Sequence, residues 1–269
     1  MTSLDARTAY QNMYYRNFSA PIPFAFRKHC SSKTLQHFNN SKQPIGSSLP
    51  NWQPPKRPSR AALIGSFCSV EPLNVSLHAK DLFEADFEDK SGTSWTYLPY
   101  GPFDSLTNYE NWLEKNQQSE DPMFFVIVDL CTGKPSGVAS YLRILPESGS
   151  IEVGHVHFSP RLQRSTVATE AMYLMMKHVF DLGYRRYEWK CDALNEPSRT
   201  AAVRLGFSVE GVFRQATVYR NRNRDTAWFS IIDSEWPQLN AAFTHWLSPA
   251  NFDSDGTQRT SLRQLTWIR

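Results

Sequence analysis

The feature that most constrains this chain is a change of hydrophobic period between Ser150 and Phe180. Residues SIEVGHVHF, 150 to 158, alternate as a strand does, whereas Met172, Met175, Met176, Val179 and Phe180 recur at helical spacing after Thr169. Between them lies a short basic loop, SPRLQRSTVA, 159 to 168. A strand that runs into such a loop and then a helix N-terminus gathers unpaired amides and the positive end of a helix dipole at one point, which suits a pyrophosphate. The loop has neither Gly-x-Gly-x-x-Gly nor Gly-Lys-Ser/Thr, so pattern alone leaves a plain strand-to-helix connection open beside the anion cradle.

The flanking sequence places this unit in a larger sheet. Ala61 to Leu73 reads as a first strand with a turn at Gly65. Leu77 to Phe87 reads as a helix, with Leu77, Leu82, Phe83 and Phe87 on one face. Leu106 to Asn116 reads as a second helix. MFFVIVDL (123–130), the turn CTGK and the strand Pro135 to Ile144 form a hairpin that leads through another turn into Ser150. Gly183 sits where the Thr169 helix would end in a left-handed residue. Tyr187 to Asp192 follows as a strand, Asn195 to Leu205 as a helix capped by Asn195, and Phe207 to Phe213 and Ala227 to Ile232 as closing strands. The expected class is mixed α/β, with a sheet built by hairpins and then extended by strand-helix-strand units. WTYLPYGPF, 95 to 103, holds two prolines and four aromatics. It is a loop too apolar for open solvent, expected to fold over a pocket as a substrate lid.

Charge and composition remove several function classes. Residues 1–57 carry eight basic side chains against Asp5 alone, while the rest of the chain has 21 basic and 25 acidic residues. The overall +3 therefore reflects a basic extension, with no basic nucleic-acid face on the folded part. No apolar run approaches the length of a membrane span. Cys30, Cys68, Cys131 and Cys191 lie far apart without a CxxC pair, which speaks against a disulfide scaffold and for a reducing compartment. The N-terminus lacks a secretory h-region, and its Arg- and Ser-containing, acid-poor composition is shared by mitochondrial transit peptides, so a cytoplasmic location is expected with mitochondrial import open. Asn39 to Pro58 reads as an extended Pro/Ser-rich linker. The expected division is an extension over 1–57, a folded domain over 58–248 and a tail over 249–269.

The central stretch resembles the GCN5-related N-acetyltransferase (GNAT) superfamily, in the branch containing the ribosomal-protein alanine acetyltransferases. The family's acyl-CoA loop, Arg/Gln-x-x-Gly-x-Gly/Ala, is matched by Gln163-Arg164-Ser165-Thr166-Val167-Ala168, with Thr166 at the middle glycine. The branch pattern continues in Ile151-Glu152-Val153-Gly154, Ser159-Pro160 and Thr169-Glu170-Ala171, and downstream in Asn195, Ser198, Gly206 and Phe207. The resemblance covers about residues 60 to 245. It implies a GNAT fold, a mostly antiparallel twisted sheet with a splayed strand pair flanked by helices, and acetyl-CoA as co-substrate without a metal. By analogy, Gln163, Arg164, Ser165, Thr166, Val167, Ala168 and Thr169 hold phosphate, Val156, His157 and Phe158 receive pantetheine, and Asn195 joins the cofactor side.

Amine attack on a thioester needs a proton acceptor for the amine, a donor for the departing thiolate and a donor for the oxyanion. The tyrosine that many family members place four residues before Gly-Phe is Ala202 here. Ser198 is the candidate acid, with simple helix capping as the alternative. Glu152 is the candidate base, with a structural carboxylate as the alternative. In a regular strand His155 and His157 share the face opposite Glu152, and either could relay a proton. His-x-His has no third ligand nearby, so no metal is expected. Cys191 reads as a buried thiol beside direct transfer, and Arg214, Arg220, Arg222 and Arg224 as a solvated turn or a clamp on a carboxylate or the CoA 3′-phosphate. The implied reaction acetylates a primary amine of a small molecule or amino acid derivative. Protein N-terminal Ala or Ser, a silent acyl-CoA-binding module, and a monomer or homodimer all remain open.

Overall fold

The computed structural model describes residues 37–266; the basic arm with Cys30, and 267–269, lie outside the described residues. The chain divides into two compact units, up to Trp52 and from Gln53 onward. In the first, β1 (His37–Phe38) and β2 (Pro44–Ile45) pair antiparallel. The Asn39 carboxamide accepts the amides of Ser41 and Gln43, each at 2.9 Å. Part of the expected linker is thus a small hairpin closed by an Asx turn. Its second half is not free either: Pro55 and Pro58 are buried in the second unit, and Arg57 donates to the carbonyls of Ile144 (3.3 Å) and Glu120 (3.1 Å).

The second unit is an eight-stranded sheet in the order β3-β4-β5-β6-β7-β8-β10-β9. Its strands are β3 (Leu63–Ile64), β4 (Cys68–Pro72), β5 (Met123–Asp129), β6 (Lys134–Leu145), β7 (Ser150–Phe158), β8 (Arg186–Asp192), β9 (Ser208–Tyr219) and β10 (Arg222–Ile232). Every pairing is antiparallel except β7 with β8. The expected mixed class with a mostly antiparallel sheet is the one observed. Helices α1 (Val75–Asp86) and α2 (Leu106–Gln117) cover one face, burying Leu82, Tyr109 and Leu113 against Phe124, Val126 and Val138. On the other face, α3 (Thr166–Asp181), α4 (Glu196–Arg204), α5 (Trp236–Leu247) and α6 (Leu262–Thr266) share the larger core with Ile151, Val153 and Phe229.

Several elements differ from the sequence expectation. α1 starts at Val75, where the Asn74 side chain accepts the Leu77 amide. It buries His78, Ala79, Leu82 and Ala85, while Leu77 and Phe87 are 69% and 70% exposed. A buried histidine is tolerated because its ring accepts from the Asn74 amide at 3.2 Å and stands 3.5 Å from Glu71. β9 and β10 are longer than expected and meet at Arg220 and Asn221, both at positive φ. That turn suits the twist of a tight hairpin and lets the strands run on. The segment from 249, set apart in sequence as a tail, packs against the domain: Leu262 is fully buried, and the Asn251 carboxamide donates to the Trp246 and Thr260 carbonyls. α5 was not read from sequence, although Leu239, Ala242, Phe243 and Trp246 are spaced for it.

Glu170 ties the two sides of the fold together. It sits in α3, 3% exposed, and its carboxylate accepts the backbone amides of Ser66 (2.8 Å), Phe67 (2.6 Å) and Cys68 (2.9 Å) in the β3–β4 turn. Gly65 is needed there, because a Cβ at that position would lie 2.4 Å from a Glu170 carboxylate oxygen. Glu170 thereby fixes the first turns of α3 to the far side of the sheet. Replacing Glu170 with Ala leaves three backbone donors, that of Cys68 buried, without their acceptor, and we expect a loss of roughly 1–3 kcal/mol in chemical denaturation. An unchanged denaturation midpoint would refute the clamp.

Candidate active site where two strands part

β7 and β8 run in parallel register only from Ser150/Arg186 to Val153/Trp189. Beyond Val153 the strands separate, and residues 154–158 keep pairing on the β6 side alone. The parting coincides with a bulge. Between the pairs Ser140/Gly154 and Val138/His157, β7 spends one residue more than β6, and His155 has a φ of 49°. An extra residue bends a strand and breaks its alternation. The result corrects the regular-strand expectation for the histidines. Ile151, Val153, Val156 and Phe158 face the α3 side, and both histidines face the other side with Glu152, as their contacts below show.

At the far end of β7 the chain makes two tight turns before α3. The Leu162 and Gln163 amides donate to the Ser159 carbonyl, and the Ser165 amide donates to Leu162. Gln163 uses its side-chain amide on the Phe158 carbonyl at 2.8 Å. Ser165 caps α3, accepting the Ala168 amide at 3.0 Å, while its carbonyl takes the Thr169 amide. Among the described residues, the amides of Arg164, Thr166 and Val167 are left without an acceptor. Arg164 takes the left-handed backbone conformation, at φ 60°, and Thr166 is the first helical residue. The Cβ at the family's glycine position therefore sits on ordinary helical backbone. A cavity of about 280 Å³ adjoins this turn, lined by Lys134, Arg161, Ser165 and Val167 among others. Open amides, a helix start and the side chains of Lys134 and Arg161 are thus gathered at one place, with Asp129 also on the cavity wall.

Glu152 is 3% exposed, and its Oε2 is held by Arg143 Nη1 at 2.7 Å and Lys190 Nζ at 2.9 Å. Burial raises its carboxyl above the usual range, against the pull of the two cations. Oε1 points along β7, 3.4 Å from where a Gly154 Cβ would stand. Ser198 lies on the opposite face: its Oγ accepts from Trp189 Nε1 at 3.0 Å, and its amide is capped by Asn195 Oδ1 at 3.2 Å. The Trp189 bond occupies a lone pair of Ser198 and leaves the hydroxyl proton to donate elsewhere. Burial pushes the Cys191 thiol up, which disfavours a thiolate nucleophile.

The loop over this region is fastened on several sides. Trp95 stacks on His157 with ring centres 3.6 Å apart, and Ser94 Oγ lies 2.9 Å from His157 Nε2. Tyr100 Oη lies 2.9 Å from His155 Nδ1, Arg222 donates to the Thr96 carbonyl at 3.2 Å, and Arg220 donates to the Gly101 carbonyl. The imidazole of His157 is thus spent on the loop, and what it offers a ligand is backbone. Of the basic run expected as a solvated turn or an anion clamp, Arg220 and Arg222 instead hold the aromatic loop in place. Arg143 and Lys190 carry no mark in the sequence, and Tyr100 is marked only as one aromatic of the loop. Arg143 enters through a β6 bulge, at φ 47°, whose amides are held by Asp121, which local pattern does not signal.

Residues 70–208 match the acetyltransferase (GNAT) domain family. A GCN5-related N-acetyltransferase from Brucella melitensis is 45% identical, with a TM-score of 0.79 over 81% of this chain and 99% of that one. A probable GNAT-family acetyltransferase from Chromobacterium violaceum is 39% identical, with a TM-score of 0.68 over 72% and 98%. The ribosomal-protein-serine acetyltransferase of Escherichia coli is 24% identical over 59% of this chain and 89% of its own length. The chain belongs to the GCN5-related N-acetyltransferase family and is an acyltransferase.

Burial gives the site a definite pH signature. It lowers His155 to about 4, with Arg143 and Arg224 adding to the effect, lowers His157 to about 3, and raises Asp86 beneath them to about 8. Between about pH 4 and 6.5 unfolding takes up a proton at each histidine and releases one at Asp86, so these groups make stability rise with pH. From about 6.5 to 8 only Asp86 contributes, and stability falls. Thermal denaturation across pH 4.5–8 should therefore peak near 6.5, with a shallower acid limb in His155→Gln. An acid limb of the same slope in that variant would count against the buried neutral imidazole.

Proposed function

We propose that this protein transfers acetyl from acetyl-CoA to the primary amine of a small molecule or amino acid derivative by direct attack on the thioester. The observation that carries the reading is the parting of β7 from β8 beyond Val153, with an anion-binding helix start at one end and a buried carboxylate at the other. The backbone edge at Val156, His157 and Phe158 suits pantetheine. The turn from Gln163 to Thr169 suits the pyrophosphate, its amides at Arg164, Thr166 and Val167 being the donors on hand, and Asn195 shapes the opposite wall by capping α4.

Acetyl-CoA supplies the activated acetyl thioester. Glu152 takes a proton from the acceptor ammonium through Oε1, directly or by one water, while Arg143 and Lys190 fix its other oxygen. The amine nitrogen then bonds to the carbonyl carbon, a β7 backbone N–H at the bulge faces the developing oxyanion, and the carbon–sulfur bond breaks. Ser198 donates a hydrogen bond to the departing sulfur, and the second proton shed by the acylated nitrogen passes through that hydroxyl or a water to the sulfur. The products are an amide and the free thiol, and burial, by raising the Glu152 carboxyl, makes it a better proton acceptor than an exposed carboxylate. His155 and His157, held neutral with lowered affinity for protons, are poorer bases.

A second reading, acetylation of a protein N-terminal Ser or Ala, draws support from the relative named a ribosomal-protein-serine acetyltransferase. Free-thiol release across amines, amino acids and short N-terminal peptides separates the two. For the assigned roles, Glu152→Gln should lower kcat about 100-fold and Ser198→Ala about 10-fold. Calorimetric CoA affinity should stay within about twofold in both variants. Wild-type turnover in both variants would remove these assignments.

A further inference from the structure

Of the four arginines of the β9–β10 hairpin, Arg220, Arg222 and Arg224 are not equivalent. Arg220 and Arg222 are spent on the carbonyls of Gly101 and Thr96. Arg224, the innermost, has a buried Nε that donates to no acceptor among the described residues. Its position is specific. Thr226 pairs with Asp192, the last residue of β8, so Arg224 stands just past the end of β8, beside the gap left where β7 has turned away. By strand alternation it shares a face with Trp228, whose ring lies 3.7 Å from Lys190 Nζ.

Six of the charges nearby are balanced among themselves. Arg143, Glu152, Lys190, Glu188, Arg186 and Glu210 form a continuous chain of alternating sign across this face of the sheet, three cations against three anions. Asp192 is taken by the Tyr219 hydroxyl at 2.9 Å and the Leu194 amide, also at 2.9 Å. The Arg224 guanidinium lies over the Tyr219 ring, 5.9 Å from its centre. Arg143 approaches the same place from the other side, with one nitrogen on Glu152 and its side chain 56% exposed. The lowered proton affinity of His155 registers both guanidiniums, since each opposes a second positive charge on that ring. A planar guanidinium with an unmet donor at the mouth of a reaction site is suited to a carboxylate.

We infer that the acceptor amine carries a carboxylate, as a free amino acid does, and that Arg224, assisted by Arg143, binds that carboxylate beside the strand gap. The inference rests on the acetyltransferase reading above and narrows its substrate class. A carboxylate held there orients the amine toward Glu152 and distinguishes a free amino acid from an N-terminal residue, whose own carboxyl is a peptide bond. Arg224 is then a specificity residue, not an acid or a base.

The test compares kcat/KM for a set of amino acids with their C-terminal amides and with short peptides bearing an acidic side chain, using wild type, Arg224→Met and Arg224→Lys. Calorimetric CoA binding is measured on each preparation. We expect wild type to prefer acids over the matching amides at least about tenfold, Arg224→Met to bring that ratio near one, and Arg224→Lys to keep part of it. General damage to the fold would lower acids and amides together and leave the ratio intact, which overturns the assignment to Arg224. A preference for neutral amines, or for the acidic-side-chain peptides over free amino acids, overturns the substrate class while leaving acetyl transfer standing. Tight CoA binding without transfer to any amine overturns the acetyltransferase reading, and the inference with it.

Discussion

The site depends on one backbone event: β7 cannot stay paired with β8 past Val153 because it takes an extra residue at His155. A parallel strand pair normally satisfies amides on both sides, so parting leaves a row of polar backbone with nothing to bond on one side. An extended ligand bearing amides can fill that role. The bulge also rotates the alternation, so that Glu152 and both histidines share a face that a regular strand would divide between them. A single inserted residue therefore creates the gap and collects the polar groups beside it.

What surrounds the gap is held with unusual redundancy. Glu170 anchors the start of α3 through three amides, and the aromatic loop is attached by stacking on His157, by Tyr100 on His155 and by two arginines of the distant hairpin. The loop's aromatic side chains account for much of the smaller core with α1 and α2. Burial of Trp95 there offsets the ordering entropy that an irregular segment costs. The loop is thus part of the fold. Its position is fixed against the side of β7 that carries His155 and His157.

Much of this was legible along the chain, because local period and local motif carry it. Strands β5 to β8 and helices α2, α3 and α4 were placed from alternation, capping residues and turn signals within a few residues of their observed ends. Helix α1 was placed, but its buried face was not, since the apolar count favoured Leu77 and Phe87 and gave no credit to a hydrogen-bonded His78. The loop at 159–168, Glu152, Ser198 and the aromatic lid were all marked from residues a short distance apart. Arg143 and Lys190 were not, because each becomes a partner of Glu152 only through strand register.

The sequence by itself determined the family, the order of its elements from β4 to β8 and the acyl-transfer chemistry, because those reside in contiguous residues with their own periodicity or motif. Only the tertiary structure decided which side of the sheet the histidines face, that the hairpin arginines 220 and 222 serve the lid, and that Arg224 is left with an unmet donor. The physical reason is the same in each case. Facing and partnership follow from bulges and register between distant strands, and one inserted residue reverses every side chain beyond it without leaving a mark in the local pattern.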